Sequence, residues 1–424
     1  MAGSRDTGEA AKDRAARAAE AAARASYGKL VAWLAAQTRD VAAAEDALAE
    51  AFASALETWP VKGMPRSPEA WLLAAARRRA IDASRRARTR SQAEREIVMR
   101  IEELEAEAGR DGVHGDERLG LIFACAHPAI DAGARAPLIL QTILGFDAAA
   151  IASAFLVSPA SMSQRLVRAK RKLRDAGIPF VVPEAAELPA RLDAVLDAVY
   201  AVFTQGWADP AGVDPKSRGL TEEAIWLARL LTAILPEEPE TAGLAALMLY
   251  AEARRGARRT PAGEFVPLSE QDTAAWDSAL IDEAEALIHR AAAHRRPGRF
   301  QIEAAIQSAH ANRRRTGVTD WLAIAGLYEA LFALTGSVVV AINRAVAIGE
   351  ASGPRAGLAA LDEACDENRL AAYQPYWAAR AELLARIGDV GAAHAAYDRA
   401  IGLESDPVLR RFLQDRQGAL DRLP

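Results

Sequence analysis

Between Asp147 and Arg174 the chain runs DAAAIASAFLVSPASMSQRLVRAKRKLR, and no other stretch narrows its fold so far. Ile151, Phe155 and Leu156 follow an Asp147 able to cap a helix, so a short helix with one apolar face is expected. Val157 leads into Ser158-Pro159, a capping serine followed by the proline that suits a first helical position. Met162, Leu166, Ala169 and Leu173 then recur at helical spacing and predict a buried stripe. The positions between them hold Ser161, Ser163, Gln164, Arg165, Arg168, Lys170, Arg171, Lys172 and Arg174, all expected to face outward. Two helices, a tight turn and one-sided positive charge predict a helix-turn-helix whose second helix enters a DNA groove.

The rest of the chain is compatible with helices alone. Ala, Leu, Arg and Glu dominate its 424 residues, aromatic residues make up 6%, and no alternating segments punctuated by turn residues suggest paired strands. The fold class expected is therefore all-α. The net charge of −5 hides an asymmetry: residues 1–178 carry 27 Lys and Arg against 23 Asp and Glu, whereas residues 179–424 carry 25 against 34. The DNA-binding signal belongs to the basic half, and the acidic half is expected to meet other partners.

Cys125 and Cys365 stand too far apart to suggest a disulfide framework, which fits a reducing cytoplasm. Cys125-Ala126-His127 lacks the further ligands of a zinc module and follows the apolar run Leu121-Ile122-Phe123, so core packing is expected there and no metal. Residues 1–26 are rich in Ala, Arg and Glu without an apolar core, so neither a signal peptide nor a membrane anchor is expected, and the location expected is cytoplasmic.

Two further segments of the basic half carry patterns. Leu30, Val31 and Leu34 form one stripe, and Val41, Ala44, Leu48, Phe52 and Leu56 the next, with Glu45, Asp46 and Glu50 on the second helix and no internal partner evident for them. Trp59-Pro60 is expected to end this unit. A loop through Pro65 and Pro68 leads to a helix from Trp71 that carries seven arginines within 14 residues: Arg77, Arg78, Arg79, Arg85, Arg86, Arg88 and Arg90. Such a helix can track a phosphate backbone, with Trp71 expected as a core anchor rather than a base-stacking platform.

Taken in order, AEDALAEAF (44–52), PEAWLLAAARRRAIDASRR (68–86), a variable linker and SMSQRLVRAKRKL (161–173) resemble a bacterial RNA polymerase sigma factor of the extracytoplasmic-function group. The resemblance implies that Glu45, Asp46 and Glu50 contact the clamp helices of the polymerase largest subunit. It implies that Arg78, Arg79, Arg85 and Arg86 face the minus-ten element. It further implies that Ser161, Ser163, Gln164 and Arg165 read the minus-thirty-five element while Arg168 and Arg171 meet phosphates, near the polymerase flap region. The chain departs from the group at Arg78, where Asn is frequent, and at Ser163-Gln164, where a basic residue and Ser are frequent. The linker 91–118 is acidic, with Glu102, Glu103, Glu105, Glu107, Asp111, Asp116 and Glu117, as suits a tether that must not stick to DNA.

A simple member of the group would end near Gly177, yet a longer segment follows. Stripes resume at Leu192, Val195, Leu196, Val199 and Tyr200 and again around 225–235, 244–250 and 276–292. Near the end RAVAIGEASGPRAGLAALDEA (344–364) is echoed by RAELLARIGDVGAAHAAYDRA (380–400), an offset of 36 residues. Helix, small-residue turn and helix in a unit of about 34 residues is the tetratricopeptide pattern. With TQGWADPAG (204–212), the whole order resembles sigma factors of this group that carry a fused helical extension.

The domains expected are a tail (1–26), a sigma region-two-like domain (27–90), the linker (91–118), a region-four-like helix-turn-helix domain (119–178), a helical extension (179–297) and tetratricopeptide-like repeats (298–424). The resemblance implies polymerase core and promoter DNA as partners, with no membrane, no cofactor and no catalysis; contact between the extension and the sigma-like half is a further expectation. A ligand-responsive helix-turn-helix regulator acting outside polymerase is the alternative, although it leaves AEDALAEAF and the Trp71 helix unexplained. An enzyme is disfavoured, since the chain has no phosphate-binding loop, no zinc-protease motif and no nucleophile elbow.

Overall fold

The computed structural model describes residues 16–17, 19, 26–87, 117–155, 157–184, 187–207, 215–364 and 370–421; of these, 82–87, 117, 153–154, 189–190, 215–218 and 364 are described in backbone only. These residues are helical, and among them the one extended pairing is an isolated bridge between Arg259 and Phe265. The expected all-α class holds. Leu156, Cys365, nearly all of the linker, most of the tail and the core of TQGWADPAG lie outside the described residues. The chain divides into two compact units, the first of residues 1–206 and 219–224, the second of 207–218 and 225–424.

In the first unit, residues 26–38 form a helix that buries Leu30, Val31 and Leu34. Asp40 then caps the helix Val41–Lys62, accepting from the backbone N–H groups of Ala42 at 2.9 Å and Ala43 at 3.3 Å. Trp59-Pro60 does not end this helix. Pro60 lies inside its last turn, where it takes one N–H donor out of the helical ladder without stopping the helix, which runs on to Gly63, whose φ of 85° puts it in glycine territory. The buried line on this helix is Val41, Ala44, Ala47, Leu48, Ala51, Ala55 and Trp59; Phe52 is half-buried and Leu56 is 47% exposed. The alanines let the next helix, Pro68–Ala87, approach closely. Shorter helices Glu117–Cys125, Ala132–Thr142, Ala148–Ala154 and Pro159–Asp175 follow, and then Leu188–Trp207, which buries Leu192, Val195, Leu196 and Val199 as its spacing predicts.

The second unit is built around Pro239–Ala253, a helix buried on nearly every side between Ser278–Ala293 and Arg299–Ala311. Its crossing with Arg299–Ala311 is tight: a β-carbon at Gly243 would lie 2.6 Å from the backbone nitrogen of Gln301. Glu240 caps that neighbouring helix from a distance, its carboxylate accepting from the N–H groups of Phe300 at 2.9 Å and Gln301 at 3.0 Å. Farther on, the helices Val338–Ser352 and Pro354–Ala364 form one pair, and Gln374–Ile387 and Val390–Leu403 another. The echoed sequences share a register, with Ala345 and Ala381 both fully buried and Leu361 matched by buried Tyr397. Pro407–Leu420 closes this core through Leu413 and Leu420.

Candidate nucleic-acid interface

Side-chain caps at the start of each of the two short helices fix the turn between them. Asp147 accepts from the N–H of Ala150 at 2.7 Å, and Ser158, in extended backbone, accepts from the N–H of Ser161 at 3.2 Å. Pro159 occupies the first turn of the second helix, and Met162, Leu166, Ala169 and Leu173 are its buried residues, as spaced in the sequence. Ser161, Ser163, Gln164, Arg168, Arg171 and Lys172 are exposed on this helix. Arg165 is half-buried and its Nη1 donates to the carbonyl of Gly133 at 3.3 Å. Val167, which no charge pattern singles out, is 54% exposed beside these polar groups.

Lys170 is the exception among the residues expected to face outward. Its ammonium is ion-paired with Glu45, and the two side chains are only 12% and 14% exposed. One turn on, Arg174 reaches Asp40 at 3.4 Å. The acidic helix therefore does have internal partners, contrary to expectation, because helical spacing shows which residues share a face but not which face another segment covers. Glu50 pairs with Arg79 at 2.6 Å, and of the three acidic residues Asp46 and Glu50 are exposed while Glu45 is not.

Burial sets the electrostatics here. Glu45 is pushed above the ordinary carboxylate range, chiefly by burial, and the Lys170 charge and hydrogen bond offset this only in part. Its Oε1 has no hydrogen-bond partner. The Tyr27 hydroxyl is pushed up by its own burial and then by the Glu45 charge. The backbone geometry is equally close: a β-carbon at Gly28 would stand 2.3 Å from the carbonyl oxygen of Ile143, so only glycine lets residues 26–38 seat there.

On the arginine helix, Trp71 meets Trp59 edge to face, with centroids 5.6 Å apart and planes at 70°. That contact makes Trp71 an anchor between helices, as expected. Arg78 is exposed; the side chains of Arg85 and Arg86 lie outside the described residues.

Residues 23–90 match the family described as Sigma-70 region 2. Residues 191–292 match one described as a family of unknown function, DUF6596. Over 372 residues the chain is 42% identical to an uncharacterized protein of Rhizobium meliloti (strain 1021), which spans 87% of this chain and 88% of that protein. The chain belongs to the same family as that protein. No solved structure matches it. The sigma-70 region 2 segment thus contains the capped helix Val41–Lys62, the Trp59–Trp71 contact and the start of the arginine run.

Outside the sigma-70 region 2 segment, the run Cys125-Ala126-His127 is structural. Cys125 is fully buried, its Sγ lies 3.4 Å from the Thr142 hydroxyl, and burial pushes its thiol up to about 12, which keeps it protonated and unreactive. His127 Nδ1 accepts from the N–H of Ala129 at 3.0 Å and so braces the turn that follows. Among the described residues no helix is long and apolar enough to cross a membrane.

Proposed function

We propose that this protein is a sigma factor of the extracytoplasmic-function type, which brings RNA polymerase core to specific promoters and performs no chemistry of its own. The observation that carries the reading is the Sigma-70 region 2 match over residues 23–90, followed in the chain by a capped helix-turn-helix at 147–175. In this reading Ser161, Ser163, Gln164 and Arg165 face base edges of a minus-thirty-five element, with Arg168 and Arg171 on phosphates. Exposed Val167 joins them as a group able to meet a thymine methyl. Arg78, Arg79, Arg85 and Arg86 serve the minus-ten element and its melted strand. Asp46 and Glu50 offer charge to the clamp helices of the polymerase, and Glu45 can do so only when it leaves Lys170.

The domain bounds 27–90, 119–178, 179–297 and 298–424 belong to the same proposal, with the paired helices after residue 337 as tetratricopeptide-like repeats that modulate activity. Pull-down of purified polymerase core tests it. Full-length protein is expected to retain core, and Asp46→Lys/Glu50→Lys is expected to lose it with helix content unchanged. Failure of the wild-type protein to bind core would favour the regulator that acts outside polymerase.

A further inference from the structure

The chain leaves the buried helix Pro239–Ala253 through the run Arg254-Arg255-Gly256-Ala257-Arg258-Arg259, and the second unit brings Arg313 to the same place from the end of Arg299–Ala311. Arg255 pairs with Glu252 at 2.8 Å and Arg259 with Asp406 at 3.2 Å. The other three have no such partner: among the described residues no carboxylate lies within ion-pair distance of Arg254, Arg258 or Arg313. They bond neutral oxygens instead. Arg254 donates to the carbonyl of Tyr250 at 3.1 Å and to Gln307 Oε1, Arg258 to the carbonyl of Trp207 at 3.4 Å, and Arg313 to the carbonyls of Ser269 at 2.6 Å and Gln271 at 2.7 Å. Arg255 and Arg258 also lie over the Trp207 ring, 4.9 and 4.3 Å from its centroid.

Among the described residues these five guanidinium groups thus meet two carboxylates, and the three half-buried groups Arg254, Arg258 and Arg313 are left with neutral partners alone. One of the carbonyl partners, that of Tyr250, belongs to the last turn of Pro239–Ala253, whose end carries roughly −0.5 charge, so at least two of the three charges remain uncompensated. Taking unpaired charge out of water is costly, and a cluster of this kind is ordinarily balanced. Burial and neighbouring guanidiniums lower Arg254 and Arg258 to about 10, and burial with Arg254 and Arg313 lowers His310 to about 4.

We propose that Arg254, Arg258 and Arg313 form a binding site for the phosphoryl group of a small soluble phosphate compound. A phosphoryl dianion supplies the two missing charges, whereas a carboxylate supplies one, and guanidinium forks match its oxygens in pairs. The three groups are half-buried, which admits a small anion and disfavours a flat lipid surface or a protein segment. The site is separate from the helix-turn-helix and does not depend on the polymerase reading.

Inorganic pyrophosphate is the probe, used with full-length protein in thermal unfolding against sodium chloride of equal ionic strength. A saturable rise in midpoint of about 3 °C is expected at tenfold excess over the dissociation constant. The Arg258→Gln/Arg313→Gln variant is expected to lose the rise. Should that variant not fold, hydrogen exchange on the wild-type protein decides, with pyrophosphate-dependent protection expected at residues 250–260 and 312–316. A rise no larger than with chloride, a rise retained in the double variant, or absence of protection at those residues would overturn the proposal and leave the guanidiniums as caps for carbonyl groups alone.

Discussion

Replacing Lys170 by Ala isolates the charge buried between the acidic and basic helices. The Glu45 and Lys170 side chains are 14% and 12% exposed, so solvent screens the pair little, and Glu45 Oε1 already lacks a hydrogen bond. Breaking a buried pair from one side costs roughly 3–5 kcal/mol because the remaining charge is stranded. The lower end, about 3 kcal/mol, is expected here, since a small opening can hydrate Glu45. The pH dependence identifies the cause. Glu45 is held above its unfolded value, so the folded arrangement binds the proton more tightly than the opened or unfolded chain. Its contribution is fully present below the ordinary carboxylate pKa and is lost as pH rises through the raised value. Without Lys170 the upward push is larger, so the loss deepens at neutral and alkaline pH. Thermal unfolding and small-angle scattering of Lys170→Ala should be recorded at about pH 5 and about pH 8. At the higher pH the midpoint is expected to fall by roughly 6–12 °C, or the radius of gyration to rise if the helices part without unfolding. At the lower pH most of the difference should vanish, and Glu45→Gln added to Lys170→Ala should restore the high-pH behaviour. Equal deficits at both pH values, or none at pH 8, would refute the argument.

Three other outcomes follow from the same structure. Arg165→Ala is expected to cost about 1–3 kcal/mol of DNA binding and to change sequence preference, whereas Arg171→Ala should weaken all sequences alike and lower the salt slope by about one; titrations at several salt concentrations separate them. Glu240→Gln keeps the side-chain shape but removes the charge at the start of Arg299–Ala311, and a loss of about 1 kcal/mol is expected in denaturant unfolding. His310 is lowered from 6.5 to about 4, so the folded chain binds its proton more weakly than the unfolded one. Its stability contribution is present above about pH 6.5 and is lost as pH falls through about 4, up to about 3 kcal/mol, and His310→Gln should flatten that limb of the stability curve.

What is legible in the residues is what acts within a few turns of helix. Ser158, Asp147 and the stripe Met162, Leu166, Ala169 and Leu173 are governed by neighbours three or four positions away, and they fold as spaced. Leu56 departs from its expected burial for a physical reason: spacing weighted by hydrophobicity favours large side chains, while close helix contact selects Ala51 and Ala55. The Glu45–Lys170 pair joins residues 125 positions apart, and nothing local to either marks it. The arginine excess around Arg258 is hidden similarly, since a run of arginines reads as a solvated face until its burial and missing carboxylates are seen together.

The remote cap on Arg299–Ala311 bears on where this protein can be cut. The segment matched as DUF6596 ends at residue 292 and includes Glu240 and Gly243, yet Phe300 and Gln301, to which they are joined, lie beyond it. A fragment stopped at 292 would keep the central helix and discard one of the two helices that sheathe it, baring apolar surface along with an acceptor deprived of its donors. The matched segment is therefore shorter than the packing around its central helix, and expression boundaries belong past Ala311.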